Sequence, residues 1–210
     1  MTIRRILLVV FILAFCLAGA AKSDQIHKAA KDRDLEKVKA IVKKNPESIK
    51  EKDTKGWTAL FWAVYNNDTD MASFLIDSGS VLETKDYTGL TPLYLPIGND
   101  NPEMAKLLLA KGANPNGDGD LVIFAITSAK PECLQILLDA KADANQKDNL
   151  GNSALHHAAR LGDLPKTKIL VEHSARLNDK NKDNQTPLKM AETGKQKKVA
   201  DYLRSCGAVE

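Results

Sequence analysis

The chain has too few cysteines for a disulfide framework and too little net charge to favour a polyanionic partner. It contains three cysteines in 210 residues, and Cys16 lies in an N-terminal apolar run, which leaves only Cys133 and Cys206. A small exported protein that relies on disulfides needs several pairs. Without Arg4 and Arg5, which precede that run, 28 basic side chains face 27 acidic ones. Such a nearly neutral chain has no general attraction to nucleic acid or anionic lipid.

A long apolar run is found at the N-terminus, where "MTIRR" is followed by "ILLVVFILAFCLAGA". A basic start, an apolar middle and small residues at the end are typical of a secretory signal peptide. We predict a signal peptide over residues 1–20, cleaved after Ala20 or Ala21, and hence a periplasmic or secreted protein. Two alternatives stay open. One is an uncleaved anchor helix, because the run has a marginal spanning length; the other is a lipoprotein signal with Cys16 lipidated.

The rest of the chain repeats one pattern. A leucine that follows Pro or Ala recurs at Leu60 and Leu93, which are 33 residues apart, and at Leu155 and Leu188, which are again 33 apart. Val122 marks a fifth copy that is four residues short. In every copy a first apolar stretch, a polar turn and a second apolar stretch follow one another. Units of this kind bury their apolar faces against their neighbours, so the pattern predicts an all-α solenoid of stacked helix-turn-helix units.

Capping residues predict where these helices begin and end. In "GLTPLYL", Thr91 would cap a first helix and Pro92 would occupy its first position. Second helices would begin near a proline and end at a residue in the left-handed conformation, usually glycine. The prolines are Pro102, Pro131 and Pro165, and the glycines are Gly79, Gly112 and Gly207.

With its 33-residue period and its "TPLYL", "SALHHAA" and "TPLKMA" segments, the chain resembles the ankyrin-repeat family. The resemblance covers residues 23–210 and implies units of a β-turn finger and two antiparallel helices, stacked into a curved array with a concave face. We expect an N-terminal capping repeat at 23–52 and a C-terminal capping repeat at 181–210. The repeats between them would span 53–85, 86–116, 117–147 (the shortened one) and 148–180.

The pattern is broken between residues 95 and 145. Pro96 falls where the first helix of its repeat should continue, so we predict that this helix is short or kinked. "GDGD" at 117–120 replaces the usual finger sequence, and Lys141 replaces the glycine that would end a second helix. A non-glycine residue forced into the left-handed region costs about 1–2 kcal/mol. Two interpretations stay open: drift in a tolerant scaffold, or a bend that shapes the binding face.

We find no pattern that predicts catalysis, a cofactor or a metal site. His156 and His157 are adjacent, so on a helix they point in different directions, and no third ligand lies nearby in the sequence. The resemblance instead assigns His156 to a structural position beside the finger. Cys133 falls on an apolar stripe and is predicted to be buried, whereas Cys206 ends the last repeat. Asn67 and Asn184 begin glycosylation acceptor patterns, whose use depends on the source.

We therefore expect a non-catalytic, monomeric module that binds another protein and neither nucleic acid nor, beyond the export signal, a membrane. The resemblance implies binding through finger tips and the exposed face of the first helices, whereas Phe61 and Trp62 belong to the core. Trp57 and Tyr87 have a second interpretation, as packing between fingers. Other classes left open are a protective or inhibitory partner of an envelope enzyme, a secreted effector, and a small-molecule binder. The predicted contact residues are Lys55, Trp57, Tyr65, Tyr87, Leu90, Leu150 and Arg160.

Overall fold

A computed structural model describes residues 25–117 and 120–210, which contain helices and, apart from one isolated bridge between Lys147 and Ser153, no strand pairing. The predicted signal peptide at residues 1–20 lies outside these residues. None of the described helices has the length and apolar character needed to cross a membrane. The helices are α1 (25–31, the described part), α2 Leu35–Lys44, α3 Ala59–Tyr65, α4 Thr69–Asp77, α5 Tyr94–Gly98, α6 Pro102–Ala110, α7 Leu121–Ser128, α8 Pro131–Asp139, α9 Ala154–Leu161, α10 Leu164–Glu172, α11 Pro187–Thr193 and α12 Lys197–Ser205, with a 3₁₀ helix at Pro46–Lys50.

The helices form antiparallel pairs within two compact units, Met1–Pro92 (unit 1, described from residue 25) and Leu93–Glu210 (unit 2). In unit 1, α3 packs on α4 and on the 3₁₀ helix. In unit 2, the first helices α5, α7, α9 and α11 pack side by side in that order, and the second helices α6, α8, α10 and α12 form a parallel row. Each unit thus buries the apolar stripes that its helices could not bury alone.

Second helices begin at polar caps or prolines. The side chains of Asp34, Asp68, Asn101 and Asp163 each accept a hydrogen bond from the backbone N–H three residues later, at the start of α2, α4, α6 and α10. These bonds satisfy N–H groups that have no partner inside a helix. Proline lies in the first turn of α6, α8 and α10, so the predicted starts near Pro102, Pro131 and Pro165 are confirmed.

The fingers between helix pairs share one turn. In the first, the Asp53 carboxylate accepts hydrogen bonds from the backbone N–H groups of Lys55 (2.8 Å) and Trp57 (2.9 Å), and Gly56 is left-handed at φ +81°. Asp86, Asp148 and Asn181 make the same two bonds to the residues two and four positions later. The recurring "D-x-x-G" is therefore an Asx-type turn that fixes the direction of each finger tip.

Helix α5 is short, as predicted, but it does not begin where predicted. It starts at Tyr94, Leu93 is its N-cap residue, and no side chain caps it, so the assignment of Thr91 as cap and Pro92 as first residue is wrong. The later start has a physical reason. In a helix that begins at Pro92, Pro96 would lack an N–H that should bond within the helix. In α5, Pro96 is the third residue, where no intrahelical donor is needed.

The region around the shortened repeat carries the other predicted irregularity. Lys141 ends α8 in the left-handed region, at φ +69°, as predicted. Of the "GDGD" segment, residues 118 and 119 lie outside the described residues. Neither α7 nor α8 has a side-chain cap at its start. A buried lysine supports this repeat instead: Lys166 of α10 donates from Nζ to the Ile126 carbonyl in the last turn of α7, at 2.6 Å. A cation is favourable there because helix C-termini carry partial negative charge.

Candidate functional site

Four aromatic side chains of unit 1 form one cluster at the first finger and helix α3. The Trp57 ring stacks on Phe61 with 5.7 Å between centroids and contacts Trp62 edge-on at 4.8 Å. Tyr65 lies 5.4 Å from Trp57 and 5.9 Å from Trp62, centroid to centroid. Phe61 and Trp62 are buried, as predicted. Trp57 is half-buried and Tyr65 is 54% exposed, so the cluster runs from the core of unit 1 to its surface.

Two carboxylates hold the indole rings in place. Trp62 Nε1 donates to Asp53 Oδ2 at 2.9 Å, and Trp57 Nε1 donates to Asp86 Oδ2 of the next finger at 3.1 Å. Burial opposes ionisation of Asp53, but hydrogen bonds from Trp57, Lys55 and Trp62 outweigh it, and its pKa falls below the ordinary value. The pKa of Asp86 is lowered in the same way, against burial, by bonds from Thr88, Leu90 and Trp57. Both carboxylates are therefore charged at neutral pH, and their oxygens accept hydrogen bonds from the fingers and the indole rings.

The second finger presents apolar side chains to solvent. Tyr87 is 71% exposed and Leu90 is 37% exposed. The Tyr87 N–H donates to the Lys55 carbonyl at 3.2 Å, which joins the two fingers. The Tyr87 ring lies over Gly56, where a Cβ would come within 2.7 Å of the Tyr87 backbone nitrogen. We call Trp57, Tyr65, Tyr87 and Leu90 the aromatic face. Trp57 and Tyr87 thus both partly fit the packing interpretation, although most of the Tyr87 side chain is exposed.

Lysines border the cluster. Lys55 Nζ lies 5.0 Å from the centre of the Trp57 ring and 5.2 Å from that of Trp62, and Lys31 Nζ lies 5.4 Å from the Trp62 ring. These are cation–π distances. The Trp62 ring and the ammonium groups line an open groove between α1 and the first finger, which we call the lysine groove. Its lining includes Lys28, Lys31, Asp32, Asp53, Lys55 and Trp62.

Sequence reasoning missed the contribution of α1 to this groove. It placed Lys55 at the site, but it did not assign Lys28 or Lys31 to any contact. Their spacing of three puts both on one face of a helix, which is a signal for a shared surface. Their position opposite Trp62, more than thirty residues later in the chain, depends on tertiary packing.

The remaining predicted contact residues, Leu150 and Arg160, lie in unit 2. Leu150 is 65% exposed at a finger tip, its N–H bonds to Asp148, and its carbonyl accepts a hydrogen bond from the Lys182 N–H at 3.0 Å. Arg160 is exposed in the last turn of α9. The structure therefore gathers Lys55, Trp57, Tyr65, Tyr87 and Leu90 on neighbouring elements of unit 1, and gives Leu150 and Arg160 surface positions in unit 2.

The family model described as "Ankyrin repeats (3 copies)" matches this chain twice, over residues 26–118 and 122–209. The chain belongs to the ankyrin-repeat family. Ankyrin repeats are protein–protein interaction modules, so the exposed fingers and first helices are the surfaces to consider. A putative ankyrin repeat protein of Rickettsia bellii (strain RML369-C) is 27% identical over 176 residues, which cover 82% of this chain and 25% of that protein. The chain spans about a quarter or less of the length of the curated relatives it matches.

Solved ankyrin-repeat structures superimpose on most of the chain. The ankyrin repeat domain ABAYE2397 from Acinetobacter baumannii AYE has a TM-score of 0.79 and 27% identity, and the match covers 88% of this chain and 98% of that one. One chain of the complex between the predatory endopeptidase Bd0816 of Bdellovibrio bacteriovorus and the immunity protein Bd3460 has a TM-score of 0.71 and 30% identity. That match covers 86% of this chain and 97% of the other.

The ankyrin scaffold also accounts for His156, whose predicted structural position is confirmed. His156 is fully buried, its Nδ1 accepts from the Ser153 N–H at 3.1 Å, and its Nε2 donates to the Gln185 carbonyl of the next finger at 3.1 Å. Because a carbonyl only accepts, the ring is the neutral Nε2–H tautomer. Burial lowers the pKa of His156 below its ordinary value. The residue therefore joins a helix to a finger.

Two further side chains that could react, His157 and Cys133, are held within the ankyrin repeats. His157 Nε2 bonds to Asp148 Oδ2 at 2.8 Å. Cys133 and Cys206 are free thiols, and Cys133 is buried, as predicted, with its pKa raised to about 11 by burial and by Asp100. Such a thiol is inert at neutral pH. Within the described residues, no group of three histidine, cysteine or acidic side chains is arranged to hold a metal ion.

Proposed function

We propose that this chain is an exported, non-catalytic ankyrin-repeat module that binds a partner protein through the aromatic face. The observation that carries the proposal is the exposure of Tyr65, Tyr87 and Leu90 around a half-buried Trp57. Large aromatic side chains that protrude from a rigid support are the residues that most often dominate binding energy at protein interfaces. The hydrogen bonds of Asp53 and Asp86 hold both fingers, so little order has to be gained on binding.

The use of the polar residues supports a non-catalytic function. The carboxylates that could act as acids or bases, Asp53, Asp86 and Asp148, are hydrogen-bond acceptors of the fingers. His156 and His157 are both tied to finger groups. The proposal predicts that the purified chain has no hydrolytic or transfer activity that a single substitution abolishes.

Export is proposed from the N-terminal sequence. The basic start, apolar run and small residues of residues 1–20 are typical of a secretory signal peptide. The partner would then be met in the periplasm or outside the cell. Fractionation of the producing cells, with the N-terminus of the exported chain sequenced, tests this part by itself; a cytoplasmic chain that begins at Met1 would overturn it.

The binding proposal is tested by capture from the native envelope fraction or culture fluid. Wild-type protein and a Tyr87→Ala/Leu90→Ala variant serve as baits, with Val81→Ala as control, since Val81 is 54% exposed in the same unit and lies outside the aromatic face. Circular dichroism must show equal helix content for all three. We expect one partner to be retained by wild type and by Val81→Ala and lost by the double variant. A partner retained by all three baits would place the interface elsewhere.

A second function, protection against an envelope enzyme, is favoured by one comparison. A chain of an endopeptidase–immunity protein complex is 30% identical to this chain over 86% of its length. If this function applies, the captured partner is a hydrolase, and adding the chain at a molar excess lowers its activity while the Tyr87→Ala/Leu90→Ala variant does not. Full hydrolase activity in the presence of bound chain would contradict it.

A further inference from the structure

The lysine groove contains more positive charge than its own acidic residues neutralise. Lys28, Lys31 and Lys55 are exposed, and among the residues that the structure describes none of them forms an ion pair. Asp53 is occupied by three hydrogen bonds from the finger and from Trp62. Asp32 is the other acidic residue of the lining. The groove therefore holds ammonium groups that have room for an anionic partner group.

The aromatic floor keeps two of these charges close together. Both Lys31 Nζ and Lys55 Nζ lie within 5.4 Å of the centre of the Trp62 ring. The two Nζ atoms are therefore no more than 10.6 Å apart, the sum of their distances of 5.4 and 5.2 Å from the ring centre. The indole excludes water from one side of the space between them, and charge–charge attraction is stronger where water is partly excluded.

The floor of the groove contains one further polar group. His27 is 5% exposed and donates from Nε2 to the Glu51 carbonyl at 2.9 Å. Its Nδ1 has no hydrogen-bond partner among the described residues. A buried polar atom without a partner is uncommon in a folded protein.

The distribution of charge separates a protein partner from a polyanion. The whole chain has a formal net charge of only +3, so the attraction is local rather than general. The groove also adjoins the aromatic face, because Lys55 lies over the Trp57 ring as well as over Trp62. A matching segment would have acidic residues next to apolar ones.

We infer that the lysine groove binds an acidic segment of the partner protein, in which aspartate or glutamate side chains lie between Lys31 and Lys55 and an adjacent apolar side chain contacts Trp57 and Tyr65. This inference rests on the proposed function and names the chemistry of the partner. It adds Lys28 and Lys31 of α1 to the interface.

The protein contains a built-in reporter for this test. It has two tryptophans: Trp62 lines the groove, and Trp57 contacts the Trp62 ring at 4.8 Å between centroids. Intrinsic tryptophan fluorescence therefore reports on the groove and the adjoining aromatic face when the added peptide contains no aromatic residue, and the lysine variants separate the two. The probe is a capped peptide in which three glutamates alternate with leucines, titrated at low salt up to about 5 mM. The control peptide has glutamine in place of every glutamate.

We expect the acidic peptide to change the fluorescence in a saturable way, and the glutamine peptide to have no effect. Lys31→Gln and Lys55→Gln should each weaken binding about two- to fivefold, as expected for exposed ion pairs, and added salt should weaken it further. Lys37→Gln, an exposed lysine on α2 outside the groove, should bind like wild type. No saturable change, equal binding of the glutamine peptide, or an equal effect of Lys37→Gln would overturn the assignment.

The two proposals fail in different experiments. If the acidic peptide does not bind but a captured partner still depends on Tyr87 and Leu90, the groove assignment is wrong and the binding module stands. If the peptide binds and no partner depends on Tyr87 and Leu90, the groove is an anion site and the aromatic face is not the interface.

Discussion

His156 shows how one side chain can make an ankyrin repeat depend on pH. Its Nδ1 accepts from the Ser153 backbone, and its Nε2–H donates to the next finger, so only the neutral ring makes both bonds. Burial disfavours the charged form as well, and the native pKa is lowered. At this position the unfolded chain therefore binds a proton more readily than the native protein does, and the contribution of His156 to stability falls as the pH drops below the ordinary histidine pKa of about 6.5.

We predict that His156→Gln lowers the free energy of unfolding at pH 7.5 by about 1–3 kcal/mol, since buried partners lose a hydrogen bond. The difference between wild type and variant should shrink as the pH falls from 7.5 to 5.5, because wild type alone loses the contribution of the neutral ring. Urea unfolding at a series of pH values measures this. His173→Gln is the comparison: it also removes a histidine, but one at the end of α10 whose Nε2 bonds to the exposed Asp139 carboxylate and not to a finger carbonyl. Parallel pH profiles for wild type and His156→Gln would contradict the prediction.

At the scale of the helix, the residue just after a second helix determines how easily that helix ends. Gly79, Gly112 and Gly207 are left-handed there, and Lys141 takes the same conformation at φ +69°. A side chain in this region costs about 1–2 kcal/mol, which glycine avoids. At Gly112 the cost of an added side chain comes from the backbone conformation and not from a steric clash, because a Cβ added there meets nothing within 4 Å.

Lys141→Gly should therefore raise the free energy of unfolding by about 1 kcal/mol, and Gly112→Ala should lower it by about 1–2 kcal/mol through the backbone alone. Urea unfolding of the two variants and wild type, with equal m-values required, gives both numbers. Lys141 forms no ion pair with a described residue, and its charge interaction with Asp139, which is largely exposed, offsets little of the gain. A loss of stability in Lys141→Gly would show that its side chain stabilises the repeat by contacts rather than straining it.

Features could be predicted from the sequence when the residues that interact lie close together along the chain. The leucine spacing, the prolines that begin α6, α8 and α10 and the left-handed Lys141 all depend on nearby residues, and these predictions were confirmed. The predicted start of α5 was wrong because Pro92 and Pro96 both favour the first turn of a helix and lie within five residues of each other. The bond from Trp57 to Asp86 and the position of Lys31 over Trp62 join residues about thirty apart, and no local pattern encodes them.

For the whole molecule, the weak local features fall together between residues 95 and 145. Helix α5 has five residues, whereas α9 has eight and a capping box. Helices α7 and α8 start without side-chain caps, and α8 ends at the strained Lys141. In repeat proteins stability is approximately a sum over neighbouring repeats, so a poorly capped repeat opens before well-capped ones.

We predict that native-state hydrogen exchange begins in this segment. Amides of α5, α7 and α8 should exchange faster than those of α9 and α11, whose row is anchored by the His156 bond to the Gln185 carbonyl. Lys166 supports the weak region, because its Nζ donates to the Ile126 carbonyl in α7 while its side chain stays buried. Lys166→Met, which keeps the stem and removes the charge, should therefore speed exchange in α7 more than in α11. If α5, α7 and α8 were instead the best protected helices of unit 2, the tertiary contacts of that repeat would outweigh its poor caps.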